Sequence, residues 1–282
     1  MPRKSKSSLD EIRSFYATMM AVASGSADPR FERAFELVRR EAFVGPGPWR
    51  INIYQRGVET PSADPVFLYQ NVLVNLDSAK GINNGEPFLH AAWMGAVEPK
   101  RGETVCHIGA GTGYYTAILS VLTLPDGRVN AFEIEEELAN KARDNLRPFE
   151  GVSVTLGDAT KLPLPPSDLI YVNAGVTAPP LSWLRALRPE GRMIFPWRPS
   201  PAAALAVIVT RRSAGFAVKP LMASYFIPCV GASDAAQSKK VPDSREAWLA
   251  RSIWPTSDRE PDDTAVAVFQ ELWFSSEEIP GT

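Results

Sequence analysis

The residues best placed to do chemistry lie in 105–119, VCHIGAGTGYYTAIL. A short apolar run passes into Gly109, Gly111 and Gly113, spaced G-x-G-x-G, and a helical pattern follows at once. Glycines so spaced let a backbone approach a nucleotide-like ligand, because no Cβ holds it off. A dinucleotide loop would place its third glycine at position 114, which here is Tyr114. The turn therefore fits S-adenosylmethionine (SAM) better than NAD.

Three further groups fall where strands should end. Glu133 follows the next apolar run and can accept both hydroxyls of a ribose. Asp158 follows Gly157 and is placed to accept from an adenine amine. Asn173 closes a fourth run, where methyl group and acceptor should meet. Each has a plainer reading. Glu133 is also a reasonable helix-start carboxylate, and Asp158 a turn former. It is their order, one per strand end, that favours a cofactor site.

The elements that must position them alternate. Strands are predicted over 104–108, 128–132, 152–156, 168–173 and 193–196, with helices over 114–124, 136–146 and 181–187. Asp28-Pro29 opens an earlier helix carrying Phe31, Ala34, Phe35 and Val38 on one face. Residues 49–80 read as loops with short strands, and Pro87 opens a helix over 87–95. Alternating β and α implies an α/β fold, a Rossmann-like doubly wound, mostly parallel sheet. Apolar runs at 204–210 and 216–223 predict a hairpin that closes it with antiparallel terminal strands. Residues 232–263 read as a polar surface excursion, and 263–274 as one more strand or helix.

Composition narrows the class. The chain has 282 residues, 45% hydrophobic, ample for a sizeable core, and a net charge of −2 gives no basic field for nucleic acid or anionic lipid. No apolar run reaches membrane-spanning length. Two cysteines, Cys106 and Cys229, argue against a disulfide framework and for a cytoplasmic setting. Two histidines, His90 and His107, leave no cluster with metal-ligand spacing, so no metal is expected. The basic start, MPRKSKSS, reads as a disordered tail. Expected domains are an N-terminal helical segment (1–80), a SAM-binding domain (81–230) and a C-terminal extension (231–282).

Residues 28–200 resemble protein-L-isoaspartate O-methyltransferases, a class I SAM-dependent methyltransferase family. The resemblance rests on DPRFERAFELVRREAFVGP, Tyr69-Gln70-Asn71 (for Tyr-x-Asp), GINNGEPFLHA, HIGAGTGY, GDA and LRPEGRMIFP. It implies that Pro87, Phe88, Leu89 and His90 line the cofactor, and that Gly109, Gly111, Gly113, Glu133, Ile134, Asp158 and Ala159 hold it. It implies methyl transfer to a carboxylate of a peptide, protein or small molecule, with S-adenosylhomocysteine as product. A carboxylate is already ionised at neutral pH, so no strong base is required.

The departures sit in the substrate loop. The family's active-site serine or threonine falls on Gly85, and Asn83 and Asn84 replace Thr-Ile. These amides either bind an acceptor or shape a tight turn; Asn84, Gly85 and His90 are the catalytic-loop candidates. On this reading Gly85→Ser should raise isoaspartyl activity. Glu86 is an acceptor-orienting group or a solvated carboxylate. His107 is a cofactor-side acceptor or a core histidine. Trp183, Trp197 and Trp254 would build an acceptor pocket or an interface. The alternatives are a methyltransferase for a dedicated acceptor and a non-catalytic SAM-fold module.

Overall fold

The computed structural model describes residues 8–53, 56–234, 236 and 238–279; the basic start at 1–7 lies outside them. The chain forms two compact units. The first comprises Met1–Gly102, Ala110–Gly127 and Glu137–Val152; the second Glu103–Gly109, Arg128–Glu136 and Ser153–Thr282.

In the first unit, α1 (Leu9–Ser24) packs on α2 (Arg30–Leu37) and α3 (Pro87–Val97), and α2 packs on α4 (Tyr114–Thr123). The sequence reading passed over α1, although its start is signalled. The Ser8 hydroxyl accepts from the Glu11 amide at 3.2 Å, and the Glu11 carboxylate accepts from the Ser8 amide at 2.7 Å. This reciprocal box satisfies two helix-start donors. Tyr16, Ala17, Met20 and Ser24 form the buried face. Residues 50–83 build a four-stranded antiparallel sheet in the order β2-β1-β3-β4, from β1 (Arg50–Ile53), β2 (Arg56–Glu59), β3 (Leu73–Asp77) and β4 (Ile82–Asn83). Its apolar side gathers Val44, Trp49, Leu68 and Val74. The last helix, α5 (Glu136–Leu146), buries Leu138, Ala139, Ala142 and Leu146.

The second unit is built on a ten-stranded sheet, β13-β14-β12-β11-β10-β9-β8-β5-β6-β7. Strands β5 (Thr104–Ile108), β6 (Arg128–Glu133), β8 (Ser167–Val172) and β9 (Leu187–Ser200) pair in parallel. Strand β7 (Val152–Leu156) lies at one edge, and the short α6 (Leu181–Ala186) packs on β9. Strand β9 begins six residues before its predicted start, at Leu187. Ser167 faces Leu187 while Leu169 faces Arg192, so the Arg188-Pro189-Glu190-Gly191 turn survives as a bulge within the strand.

The antiparallel end is larger than the predicted hairpin. To β10 (Ala203–Arg212) and β11 (Gly215–Ala223) the chain adds β12 (Ser252–Pro255), β14 (Leu272–Ser275) and β13 (Ala265–Val268). Residues 232–263 are therefore not simply an excursion. Ala247, Ala250 and Ile253 are fully buried in the core of this unit. Trp183 and Trp197 are fully buried there too, donating to Ala159 O and Thr177 O at 3.0 Å each. Trp197 stacks on Phe274 at 4.1 Å. These two indoles are core, not pocket walls, and losing either should cost about 3–5 kcal/mol. Trp254 instead carries Arg259, 5.1 Å from its ring.

Candidate functional site

In the second unit, the ends of the parallel strands are joined by backbone. The Gly109 amide donates to Phe132 O (2.9 Å), the Gly157 amide to Glu133 O (2.9 Å) and the Asn173 amide to Ile108 O (2.8 Å). Gly109, Glu133, Asp158 and Asn173 are thus all brought to one end of the sheet, as strand topology requires of a ligand site.

Glu133 is 6% exposed, and its Oε1 accepts from the Glu135 amide at 3.0 Å. Asp158 uses Oδ1 for the Thr160 amide (2.9 Å) and hydroxyl (2.7 Å). Its Oδ2 is buried and forms an ion pair with Lys161 Nζ at 3.2 Å. Burial pushes the Asp158 carboxyl up, but the Thr160 and Lys161 donors outweigh it and hold it below its ordinary value. Asn173 Nδ2 lies 2.8 Å from His107 Nε2, while its Oδ1 is buried with no hydrogen-bond partner among the described residues. Burial pushes His107 down to about 3, so the ring is neutral at physiological pH. It is a core histidine that orients Asn173. Ile134 is 41% exposed, whereas Ala159 is buried.

Orphaned buried acceptors are rare, because each costs the desolvation of its lone pairs. SAM carries N–H and O–H donors at its adenine, ribose and amino-acid ends. Asn173 Oδ1, buried with no hydrogen-bond partner among the described residues, fits such a ligand, and Glu133 and Asp158 add carboxylate acceptors at the same end of the sheet.

In the first unit, Gly111 and Gly113 lie in a turn held by side chains. The Thr112 hydroxyl donates to Phe43 O (2.6 Å), and Asn145 Nδ2 donates to Thr112 O (3.0 Å). Gly113 has φ +98°, and a Cβ there would stand 2.7 Å from Leu146 Cδ1, so only glycine fits.

The substrate loop is organised by a separate set. Asn83 Oδ1 accepts from the Gly85 amide at 2.9 Å, which assigns Asn83 to the turn-shaping role. Asn71 Oδ1 caps α3 by accepting from the Phe88 amide (2.8 Å), and its Nδ2 donates to Glu86 (2.6 Å). Glu86 is therefore held, not freely solvated. Pro87 and His90 are buried and Phe88 is 38% exposed, with Leu89 between these extremes.

His90 stacks on Tyr115 at 3.7 Å and 22°, and the Tyr115 hydroxyl donates to Gly85 O at 3.2 Å. Gly85 has φ +77°, and a Cβ there would lie 2.5 Å from His90 Nε2 and 2.9 Å from Tyr115 Cε2. The imidazole fills the space that a side chain at 85 would enter. This overturns the expectation that serine simply restores a missing hydroxyl.

Sequence reasoning missed Arg40, which is fully buried. Its Nε and Nη2 donate to Asn84 Oδ1 (3.1 and 3.0 Å), Nη2 to Val72 O (2.6 Å), and Nη1 to Leu68 O (2.6 Å) and Gln70 O (3.0 Å). Burial raises the phenols of Tyr16, Tyr114 and Tyr115, and the charge on Arg40 opposes that rise in all three. Nothing in the order Arg39-Arg40 tells which guanidinium is buried; only the path of residues 68–72 around it does.

The family model for protein-L-isoaspartate(D-aspartate) O-methyltransferase matches residues 26–234. The chain belongs to that family. A protein-L-isoaspartate O-methyltransferase of Ignicoccus hospitalis is 31% identical over 148 residues, covering 51% of this chain and 70% of the relative. One from Bradyrhizobium sp. strain BTAi1 is 31% identical over 210 residues, covering 73% and 88%. Among solved structures, a protein-L-isoaspartate O-methyltransferase aligns with TM-score 0.68 and 22% identity, over 86% of this chain and 71% of that one. A second, from Plasmodium falciparum in complex with S-adenosylhomocysteine, aligns with TM-score 0.61 and 16% identity, over 77% and 97%. The fold is that of the class I methyltransferases, and membership makes the chain a SAM-dependent carboxyl O-methyltransferase. Among the described residues, no helix is long and apolar enough to cross a membrane, and no group of three His, Cys, Asp or Glu could hold a metal ion.

Proposed function

We propose that this enzyme methylates the free carboxylate of an isoaspartyl residue in peptides or proteins. The observation that carries the reading is the set of buried acceptors at the strand ends, Glu133, Asp158 and Asn173, in a chain of this family. In the second unit Glu133 would accept from the ribose, Asp158 from the adenine amine and Asn173 near the amino-acid end. Gly109, Ile134 and Ala159 would border the cofactor. We propose the corresponding roles for Gly111, Gly113, Pro87, Phe88, Leu89 and His90 of the first unit.

When bound, the cofactor supplies an electrophilic sulfonium methyl group. The acceptor carboxylate is ionised at neutral pH and needs no base, so the residues here act by positioning and by excluding water. Asn84 would orient the acceptor, while the buried Tyr115–His90 stack keeps the loop dry. Two buried, unpaired thiols, Cys106 and Cys229, support a reducing, cytoplasmic setting.

The test is mass spectrometry of an isoaspartyl peptide and its aspartyl twin after incubation with enzyme and SAM. A methyl ester on the isoaspartyl peptide alone is expected. Two unmodified peptides, from enzyme that binds SAM, would overturn the reading and point to a dedicated acceptor.

A further inference from the structure

Arg40 is a buried cation with no counterion among the described residues. It is fully buried, and none of the described carboxylates pairs with it. Its neighbour Glu41 is spent elsewhere, on Arg13 and the Tyr69 hydroxyl. All five guanidinium N–H groups are satisfied, but only by the carbonyl oxygens of Leu68, Gln70 and Val72 and the amide oxygen of Asn84. A guanidinium does not shed its proton in a protein, so the charge stays. Burying an ion with neutral partners alone is expensive, and a purely structural tie among carbonyls does not require one.

Among the described residues, Asn84 is the only side chain that Arg40 holds. Because a guanidinium can only donate, the amide must turn Oδ1 towards Arg40, and two N–H groups fix it there. That places Nδ2 on the opposite side of the amide, and it has no hydrogen-bond partner among the described residues. The neighbouring polar groups of the loop are committed: Asn83 to the Gly85 amide, Asn71 to Glu86 and the Phe88 amide, and Tyr115 to Gly85 O. A hydrogen-bonded amide polarised by a cation at its oxygen is a stronger donor at its nitrogen.

We infer that Arg40 is a positioning residue for acceptor recognition, acting through Asn84, whose Nδ2 donates to the acceptor's free carboxylate. The pair selects an anionic carboxylate over its neutral amide. This rests on the isoaspartyl reading above and adds the groups that read the acceptor's charge.

Asn84→Asp separates this role from a structural one. Aspartate keeps, and strengthens, the anchor for Arg40, but it removes the donor and places a negative charge before the acceptor. The experiment measures binding of an isoaspartyl peptide, and of the same peptide with that carboxyl as a primary amide, in the presence of S-adenosylhomocysteine. Wild type should prefer the carboxylate by roughly 10- to 100-fold, the worth of a hydrogen bond to a charged group. N84D should lose or reverse that preference, with melting temperature and cofactor affinity retained and the loss of turnover appearing in KM for peptide.

A second readout needs no variant enzyme to be active. In wild type, the Asn84 side-chain amide resonances, identified by their absence in N84D, should move on titration with the carboxylate peptide and not with the amide. Unchanged carboxylate preference in N84D, or unmoved Asn84 resonances while the peptide binds, overturns the inference and leaves the isoaspartyl reading standing. A wild-type enzyme that neither binds nor esterifies the isoaspartyl peptide overturns that reading, and the inference with it.

Discussion

Gly85→Ser should damage this enzyme, although in the family's pattern serine is the functional residue. The backbone at Gly85 has φ +77°, where an L side chain costs about 1–2 kcal/mol. The added Cβ would stand 2.5 Å from His90 Nε2 and 2.9 Å from both His90 Cδ2 and Tyr115 Cε2. Comfortable contacts between such atoms begin near ~3.5 Å, so the overlap approaches an ångström. His90 cannot swing clear cheaply, because it is 1% exposed and stacked on Tyr115 at 3.7 Å. Overpacking of this kind costs about 1–3 kcal/mol, which with the backbone term gives about 2–5 kcal/mol. At about 2–4 °C per kcal/mol, the melting temperature should fall by about 4–20 °C.

The assay pairs thermal melts with methyl transfer to an isoaspartyl peptide for Gly85→Ser, Gly85→Ala and Gly85→Ser with His90→Ala. Serine and alanine should be equally damaging, since the clash is at Cβ, and removing the imidazole should recover part of the loss. A serine variant that melts with wild type and turns over faster would refute the reasoning.

Glu133→Gln removes the charge from a buried carboxylate while keeping its shape, and should weaken SAM binding roughly 10- to 100-fold. Calorimetry showing an unchanged Kd would exclude Glu133 from the ribose. His107 is neutral in the folded protein, with its pKa pushed by burial from 6.5 to about 3. Its stabilising effect is complete above the unfolded pKa and is lost as pH falls from there towards 3. Wild type should therefore lose up to about 1.4 kcal/mol over the pH unit below ~6.5, and His107→Gln should be nearly flat there in urea titrations.

The strand-end part of the candidate site was legible in the sequence because its residues are local to strand ends. Each strand of the parallel sheet runs from a turn signal to a polar group, so reading the elements places Gly109, Glu133, Asp158 and Asn173 together. Short-range signals that were present but passed over, such as the Ser8–Glu11 box of α1, belong to the same class. The C-terminal strands were obscured because β12, β13 and β14 are only four residues each, and a polar, proline-containing loop separates β12 from β13. Their burial depends on neighbours far away in the chain, which a local pattern does not carry.

By itself, then, the sequence determined the α/β alternation, the glycine turn and the order of the polar groups at the strand ends, since these follow from periodicity and backbone geometry. Tertiary structure alone decided which polar groups in the substrate loop are free. Asn83 and Asn84 are adjacent and chemically identical, yet one closes a turn on Gly85 while the other is gripped by Arg40, forty-four residues away. Glycine at position 85 reads as a lost hydroxyl until His90 and Tyr115 are seen filling its side-chain volume. The physical reason is common to both: a side chain's role depends on what else competes for its hydrogen bonds and its space, and those competitors are brought in by the fold.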